Sequence, residues 1–443
     1  MSFRAALLGT VVASLSSLAA FAADAPKEYP AVLSGHAILP AETFAAAPAD
    51  APSSLTVSGR YTGTEVGKRT DALYSIFDEK TGLARPFPGQ PVQGFSGIRA
   101  LGDGRYLVLT DNGFGAKANS ADAMLMFHIV RPDFATGRVA VEKTVFLKDP
   151  NKVVPFRVVN ENTAERYLTG ADLDTESIQK VGDKIWIGDE FGPYLIQVDL
   201  DGTVTRLVET VVNGETLRSP DNSALQLPPA PDKPAPTFQV RRSKGFEGMA
   251  LSSDGKTLHP MLEGAPFDAR TGKYLEKGGR SVLPILDVDA TTGKIADTVR
   301  YYPLESFDNA IGDFNMIDDT RALVIERDGG AGDPKEGWAP KPAQFKRIYL
   351  VDLARTDADG VVKKIGFIDL MAIRDPDKVA RVPTRDGILT FPFETIENVD
   401  RIDATHIIVA DDNNFPYSIG RAKGQADNNE FVILEVGELL NAR

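Results

Sequence analysis

The chain has 443 residues, 42% hydrophobic and 25% charged, which excludes a disordered chain and leaves room for one large domain or two to three ordinary ones. Lys and Arg total 49 against 62 Asp and Glu, a formal net charge of −13 that disfavours nucleic acid and anionic membrane as partners. Cysteine is absent, and the four histidines (His36, His128, His259, His406) never sit at metal-ligand spacing, so disulfides, iron–sulfur clusters, cysteine nucleophiles and a zinc hydrolase are set aside.

The N-terminus reads MSFRAALLGTVVASLSSLAAFA. Arg4 is followed by an apolar and small-residue stretch from Ala5 to about Leu18. Ala20-Phe21-Ala22 has the A-x-A form of a cleavage site. The stretch is short of the ~20 apolar residues of a membrane span. It is therefore read as a signal peptide, residues 1–22, cut after Ala22, with a periplasmic or extracellular destination. Without cysteine, the exported chain has to rely on core packing. Residues 23–54 read as an N-terminal extension, with a loop from Ala41 to Pro52. One domain is expected over 55–443. The proline-rich run LPPAPDKPAPTF from Leu227 and the Gly/Pro segment Gly329 to Pro342 read as surface excursions, because the same pattern continues on either side of them.

That pattern is a repeat. Short β-rich runs such as RYLVLT, KIWIGD, RIYLVDL and THIIVA are separated by turns such as Gly102-Asp103-Gly104 and Asp254-Gly255. Five strand–turn–strand units align, beginning near Gly94, Gly170, Gly245, Gly312 and Glu394. Each opens on a small or acidic residue: Ser96, Asp172, Glu247, Asp313, Glu397. Each closes on an acid: Asp111, Asp189, Glu263, Glu326, Asp411. A hairpin returns the chain to the sheet end where it began, so opening and closing residues are expected to be neighbours. The fold class predicted is all-β, a β-propeller of six blades, with five or seven as alternatives. Leu55 to Asp78 would supply the sixth blade or close the ring with the C-terminal EFVILEV. Unrelated hairpins in a sandwich are the competing arrangement.

Carboxylates gathered on one channel repel, and a hard cation with oxygen ligands relieves them. The acids are interleaved with Asn, as in Asp111-Asn112 and Asp411-Asp412-Asn413-Asn414. That donor supply suits Ca²⁺ better than Zn²⁺ or Cu²⁺. The candidate ligands are Asp111, Asp172, Glu247, Asp313, Glu326, Glu397 and Asp411, with Glu247 and Glu397 foremost. Asp172, Asp174 and Glu176 would share a face if their segment is a strand. The alternative is that the acids hold turns or pair with Arg. Arg99, Lys244, Arg327 and Arg421 are candidates for an anionic substrate group. Tyr194 belongs to a set of aromatics that either line a cleft or pack between blades. No G-x-S-x-G elbow, P-loop or dinucleotide fingerprint is present.

TDNG at Thr110, GDEFGPYLIQVD at Gly188, KGFEGMALSSDGKTLHPMLEG at Lys244, GDFNMIDDTRALVIERD at Gly312 and DDNNFPYSIGR at Asp411 together resemble the phytase-like family, described as having esterase-like activity of phytase. The resemblance runs from about Leu55 to the end. It implies a secreted or periplasmic bacterial propeller that hydrolyses phosphate or other esters with calcium. The expected roles are Asp189 or Glu263 as general base, Arg327 or Arg421 stabilising developing charge, and Arg99, Lys244 and Tyr194 contacting substrate. The expected partner is a small anionic ester, with no nucleic acid, no membrane and a monomeric state. A lactonase or sugar-acid hydrolase, and a non-catalytic binding propeller, are the alternatives.

Overall fold

A computed structural model describes residues 25–212, 214–225, 238–268 and 271–443. The signal-peptide reading and the proline-rich run from Leu227 to Thr237 lie outside the described residues.

The β-rich runs form strands that are buried along most of their length, as in Tyr106–Thr110 and Arg321–Arg327. The turns between them follow from local backbone chemistry. Gly102, Asp103 and Gly104 all take positive φ, a left-handed run that folds Phe95–Ala100 back onto Tyr106–Thr110. Within the sheets, strand pairing holds five four-stranded antiparallel units; the first and fifth are joined in one ten-stranded sheet, and Lys27–Glu28 adds a short parallel edge to the fourth. The first is Phe95–Ala100, Tyr106–Thr110, Met126–Asp133 and Arg138–Phe146. The second is Thr175–Val181, Lys184–Asp189, Tyr194–Asp199 and Val204–Glu209. The third is Phe246–Leu251, Thr257–Leu262, Arg280–Asp289 and Ile295–Pro303. The fourth is Ala310–Met316, Arg321–Arg327, Lys346–Thr356 and Val362–Asp369. The fifth takes Thr395–Arg401, His406–Asp412 and Asn429–Glu435 from the C-terminal part and Val32–Leu39 from the N-terminal part.

The first strand of each unit is the inner one. Each inner strand packs beside the inner strands of the units before and after it, and the fifth returns to the first. The result is a nearly closed, propeller-like ring. A hydrophobic cluster lies between each adjacent pair of units. Leu107 and Phe127 meet Ile185 and Ile196, and Trp186 and Leu195 meet Met249 and Leu286. Ile285 meets Val324, Ile348 meets Val432, and Val108 meets Phe431. Sheet faces pressed together in this way bury the apolar side of each strand without long helices.

Two expectations change. Leu55 to Asp78 does not form a blade: it holds a one-turn 3₁₀ helix at its start, an isolated Ser58–Phe87 bridge and the two-residue strand Ile76–Phe77. Its apolar residues Val66, Leu73, Tyr74 and Phe77 are exposed, so it has no face to bury in a sheet. It leads instead into a cap in which Phe87 packs on Phe114 and Phe415. The strand that completes the last unit is Val32–Leu39, inside the stretch read as an extension. It runs antiparallel to Asn429–Glu435, from Val32 opposite Glu435 to Leu39 opposite Asn429. The C-terminal EFVILEV is thus the third strand of that unit. Val32–Leu39 also touches the first unit's outer strand, Ile38 opposite Arg138. No described helix is long and apolar enough to cross a membrane.

Candidate metal and catalytic centre

The same irregularity recurs at the start of all five inner strands. Pairing with the second strand slips between Phe95 and Ile98, Thr175 and Ser177, Phe246 and Gly248, Ile311 and Phe314, and Ile396 and Asn398. A β-bulge of this kind bends the strand and re-aims a side chain. The residues inside these slips include Ser96, Glu176, Glu247, Gly312 and Glu397. The paired residues on the second strands are Thr110, Asp189, Leu262, Glu326 and Asp411. The residues that follow them, Asp111, Glu190, Glu263, Arg327 and Asp412, complete a ring of ten equivalent positions at one end of the channel. Seven carry carboxylates and one a guanidinium, while Ser96 and Gly312 are the remaining two.

Most of this ring is buried, including Glu176, Glu190, Glu247, Glu263, Glu397, Asp412 and Arg327. Three overlapping triads bring ligand oxygens within 4.8 Å of one another: Asp174–Glu176–Glu190, Glu176–Glu247–Glu397 and Glu190–Glu247–Glu263. Arg327 Nη2 donates to Glu263 Oε1 at 3.0 Å and to Glu397 Oε1 at 2.7 Å. Lys244 Nζ pairs with the other Glu263 oxygen. Ser96 Oγ donates to Glu397 Oε2 at 3.0 Å. Glu247 Oε1, Glu190 Oε1 and Asp174 Oδ1 are buried without a hydrogen-bond partner.

The electrostatics reflect this crowding. Burial, then repulsion from Asp174, Glu247 and other acids, holds the Glu176 carboxyl well above the usual range. Burial, then Glu397, Glu263 and Glu190, does the same to Glu247. Burial, then Glu263 and Asp174, raises Glu190. Burial followed by Asp412 and Asp174 raises Asp111, and burial followed by Glu397 raises Asp412. Burial lifts Asp174 to about 6. Burial opposes the charge of Arg327, yet Glu397, Glu263 and Glu247 outweigh it and raise its pKa. A buried, all-oxygen donor set with unsatisfied lone pairs is of the kind that holds a metal ion, and it suits a hard one.

The residues singled out from sequence divide between this centre and other places. Asp111, Glu247, Glu263, Glu397, Arg327 and Lys244 belong to the centre. Asp172 lies outside the triads. It precedes the strand Thr175–Val181 and accepts the Thr169 and Val159 N–H groups at 2.8 and 2.7 Å, so Asp172, Asp174 and Glu176 do not share one strand face. Asp189 accepts the Asp174 and Gly192 N–H groups at 2.8 and 2.6 Å, and burial puts it at about 7. Asp313 accepts the Phe314 and Val399 N–H groups and Asn315 Nδ2 at 2.8 to 3.0 Å, tying inner strands together deeper in the channel; burial puts it also at about 7. Glu326 is saturated between sheets by Tyr302, Lys364, Asn309 and the Glu305 N–H. Asp411 accepts the Glu430 N–H, and Arg421 forms a two-bond fork with Glu430 at 2.8 and 2.6 Å. Arg99 bonds Asn315 and Asp400 at the far end of its strand. Tyr194 OH donates to Asn222 at 3.0 Å, its ring stacked on Phe156.

Glu176, Glu190 and Asp412 are the ring carboxylates to which the sequence reading gave no role. The usable signal was register: a strand alternates faces, so the acid one residue after Asp189 or Asp411 is the one that turns with Glu263 toward the channel.

A model of the phytase-like family, described as "Esterase-like activity of phytase", matches residues 90–415. The chain belongs to the phytase-like family. The match spans all five inner strands and every member of the acidic ring. Among curated proteins, this phytase-like chain is 29% identical over 131 residues to an "Uncharacterized secreted protein" of Arthroderma benhamiae, covering 28% of the chain and only 25% of that relative's length. Among solved structures it is similar to a luciferin-regenerating enzyme, at 12% identity over 79% of both chains with a TM-score of 0.34. It is likewise similar to an aldose sugar dehydrogenase from Streptomyces coelicolor, at 12% identity over 78% of this chain and 94% of the other, with a TM-score of 0.32.

Proposed function

We propose that this phytase-like protein is a secreted or periplasmic hydrolase of phosphate or other small anionic esters that works with Ca²⁺ at the acidic end of a five-bladed propeller. The five four-stranded units around one channel support the blade count. The observation that carries the functional reading is the set of three buried carboxylate triads with unpartnered oxygens at one mouth of the ring. Glu176, Glu247, Glu397, Glu190 and Asp174 would hold the cation. When bound, a divalent cation polarises a substrate oxygen and lowers the pKa of water. Arg327, fixed by Glu263 and Glu397, supplies the positive charge that faces a developing anion. A carboxylate has two oxygens, and Glu190 keeps one without a partner, so one can face the cation while the other takes a proton. Asp189 is occupied by two backbone N–H groups, and Glu263 by Arg327 and Lys244. The secreted relative, the leader-like N-terminus and the overall acidity support export and a small-molecule partner.

The test is a panel of chromogenic phosphomonoesters, phosphodiesters, carboxylesters and lactones, assayed with calcium and with EDTA. Turnover of an ester that calcium supports and EDTA abolishes is expected. Absence of turnover of every ester in calcium would overturn the reading, and turnover confined to lactones would move the substrate class to cyclic esters.

A further inference from the structure

The arrangement of the centre goes further than a single ion. The cationic side chains at the centre are committed: Arg327 to Glu263 and Glu397, Lys244 to Glu263, and Lys117, whose charge reaches Asp174, to the Asp221 carbonyl oxygen and Ser223. Asp174, Glu176, Glu190 and Glu247 are ion-paired to no described Lys or Arg. Three of the four keep a buried oxygen with no hydrogen-bond partner: Asp174 Oδ1, Glu190 Oε1 and Glu247 Oε1. Buried oxygens without partners are unfavourable, and a cation supplies the missing partner; Asp174 and Glu247 share no triad, so one ion does not serve both.

The geometry divides in the same way. Asp174 enters only the triad with Glu176 and Glu190, and Glu397 enters only the triad with Glu176 and Glu247. Glu176 belongs to both. It sits on the bulge of the second inner strand, between the turn that carries Asp174 and the inner strand that carries Glu247. We infer that the centre binds two divalent, oxygen-preferring cations, one at Asp174–Glu176–Glu190 and one at Glu176–Glu247–Glu397, with Glu176 as the shared ligand. This rests on the metal-binding part of the proposed function and adds its stoichiometry and its division of labour. A carboxylate has two oxygens and about four lone-pair sites, so Glu176 can serve two ions, and Glu397 can serve one while keeping Arg327 and Ser96.

The experiment is metal counting on the full chain. Purified protein is stripped with EDTA, equilibrated with excess calcium, freed of unbound ion and analysed by inductively coupled plasma mass spectrometry, with terbium luminescence titration as a second probe. Two equivalents per chain are expected in the wild type. Asp174→Asn should fall to one equivalent, and Glu176→Gln should lose both at the same free calcium. Circular dichroism melts of each variant separate loss of ions from loss of fold. One equivalent in the wild type overturns the pair of ions and leaves the single-cation reading standing, whereas none overturns both. A folded Asp174→Asn protein that still holds two equivalents overturns the division between the triads.

Discussion

Arg327 occupies the ring position where every other unit places an acid. It is therefore the internal counter-charge that makes the ring tolerable before any cation arrives. Removing one partner from a buried ion pair costs about 3–5 kcal/mol, because the remaining charge stays out of water. Arg327→Met should lower the unfolding free energy in EDTA by about that amount. The loss should shrink in saturating calcium, which supplies positive charge to the same carboxylates. Equal losses in both conditions, read from urea midpoints, would show that Arg327 does not share carboxylates with a cation. His128 gives a residue-level test that does not depend on the centre. It is fully buried with Nδ1 at 2.9 Å from Thr144 Oγ1, and burial lowers its pKa to about 3. An unfolded histidine titrates near 6.5. Between these values the unfolded state binds the extra proton, so this contribution to stability is intact above about pH 6.5 and falls away as the pH drops toward 3. His128→Gln should flatten the fall in urea midpoint between pH 7 and pH 4 relative to the wild type. An unchanged slope would mean that His128 is protonated in the folded protein.

At the scale of elements, the bulge does the positioning, and on the fourth inner strand it leaves no room for a side chain. Gly312 is the ring member on the fourth inner strand and carries no side chain. A Cβ there would collide with the Ile396 carbonyl oxygen and lie 3.0 Å from Glu397 Cα. Its φ is not in the left-handed region, so the requirement is close approach of two inner strands and not backbone freedom. Gly312→Ala should push the fourth and fifth inner strands apart at the mouth. Overpacking of this kind costs about 1–3 kcal/mol. Because Glu397 lies on the displaced strand, calcium affinity should fall with stability. A variant of normal stability and unchanged calcium titration would show that the strands have room to spare.

For the molecule as a whole, the sequence revealed the repeat more fully than the ring. Each unit begins with a small or acidic residue and a tight hairpin, and those features stand in the chain as local signals. Glu247, Glu263, Glu397 and Arg327 were legible because they fall on those signals. Glu190 and Asp412 were not, because aligning acids by type selected Asp189 and Asp411, and one step along a strand is enough to face away from the channel. Glu176 was hidden by the acids just before it, since only the bulge after Thr175 decides which carboxylate turns inward. The fourth strand of the last unit was illegible for a different reason. Nothing local in Val32–Leu39 says that its partner is Asn429–Glu435, at the other end of the chain.

That pairing sets the timing of the protein's assembly. Val32–Leu39 leaves the ribosome long before its partner Asn429–Glu435 and must wait for it. Bringing such distant segments together is slow, since loop-closure entropy has to be met before the contact repays it. Until Asn429–Glu435 is made, Val32–Leu39 is an unmatched sheet edge, a template for unwanted pairing. Covering that edge until Asn429–Glu435 arrives would keep it from pairing elsewhere before the circle latches.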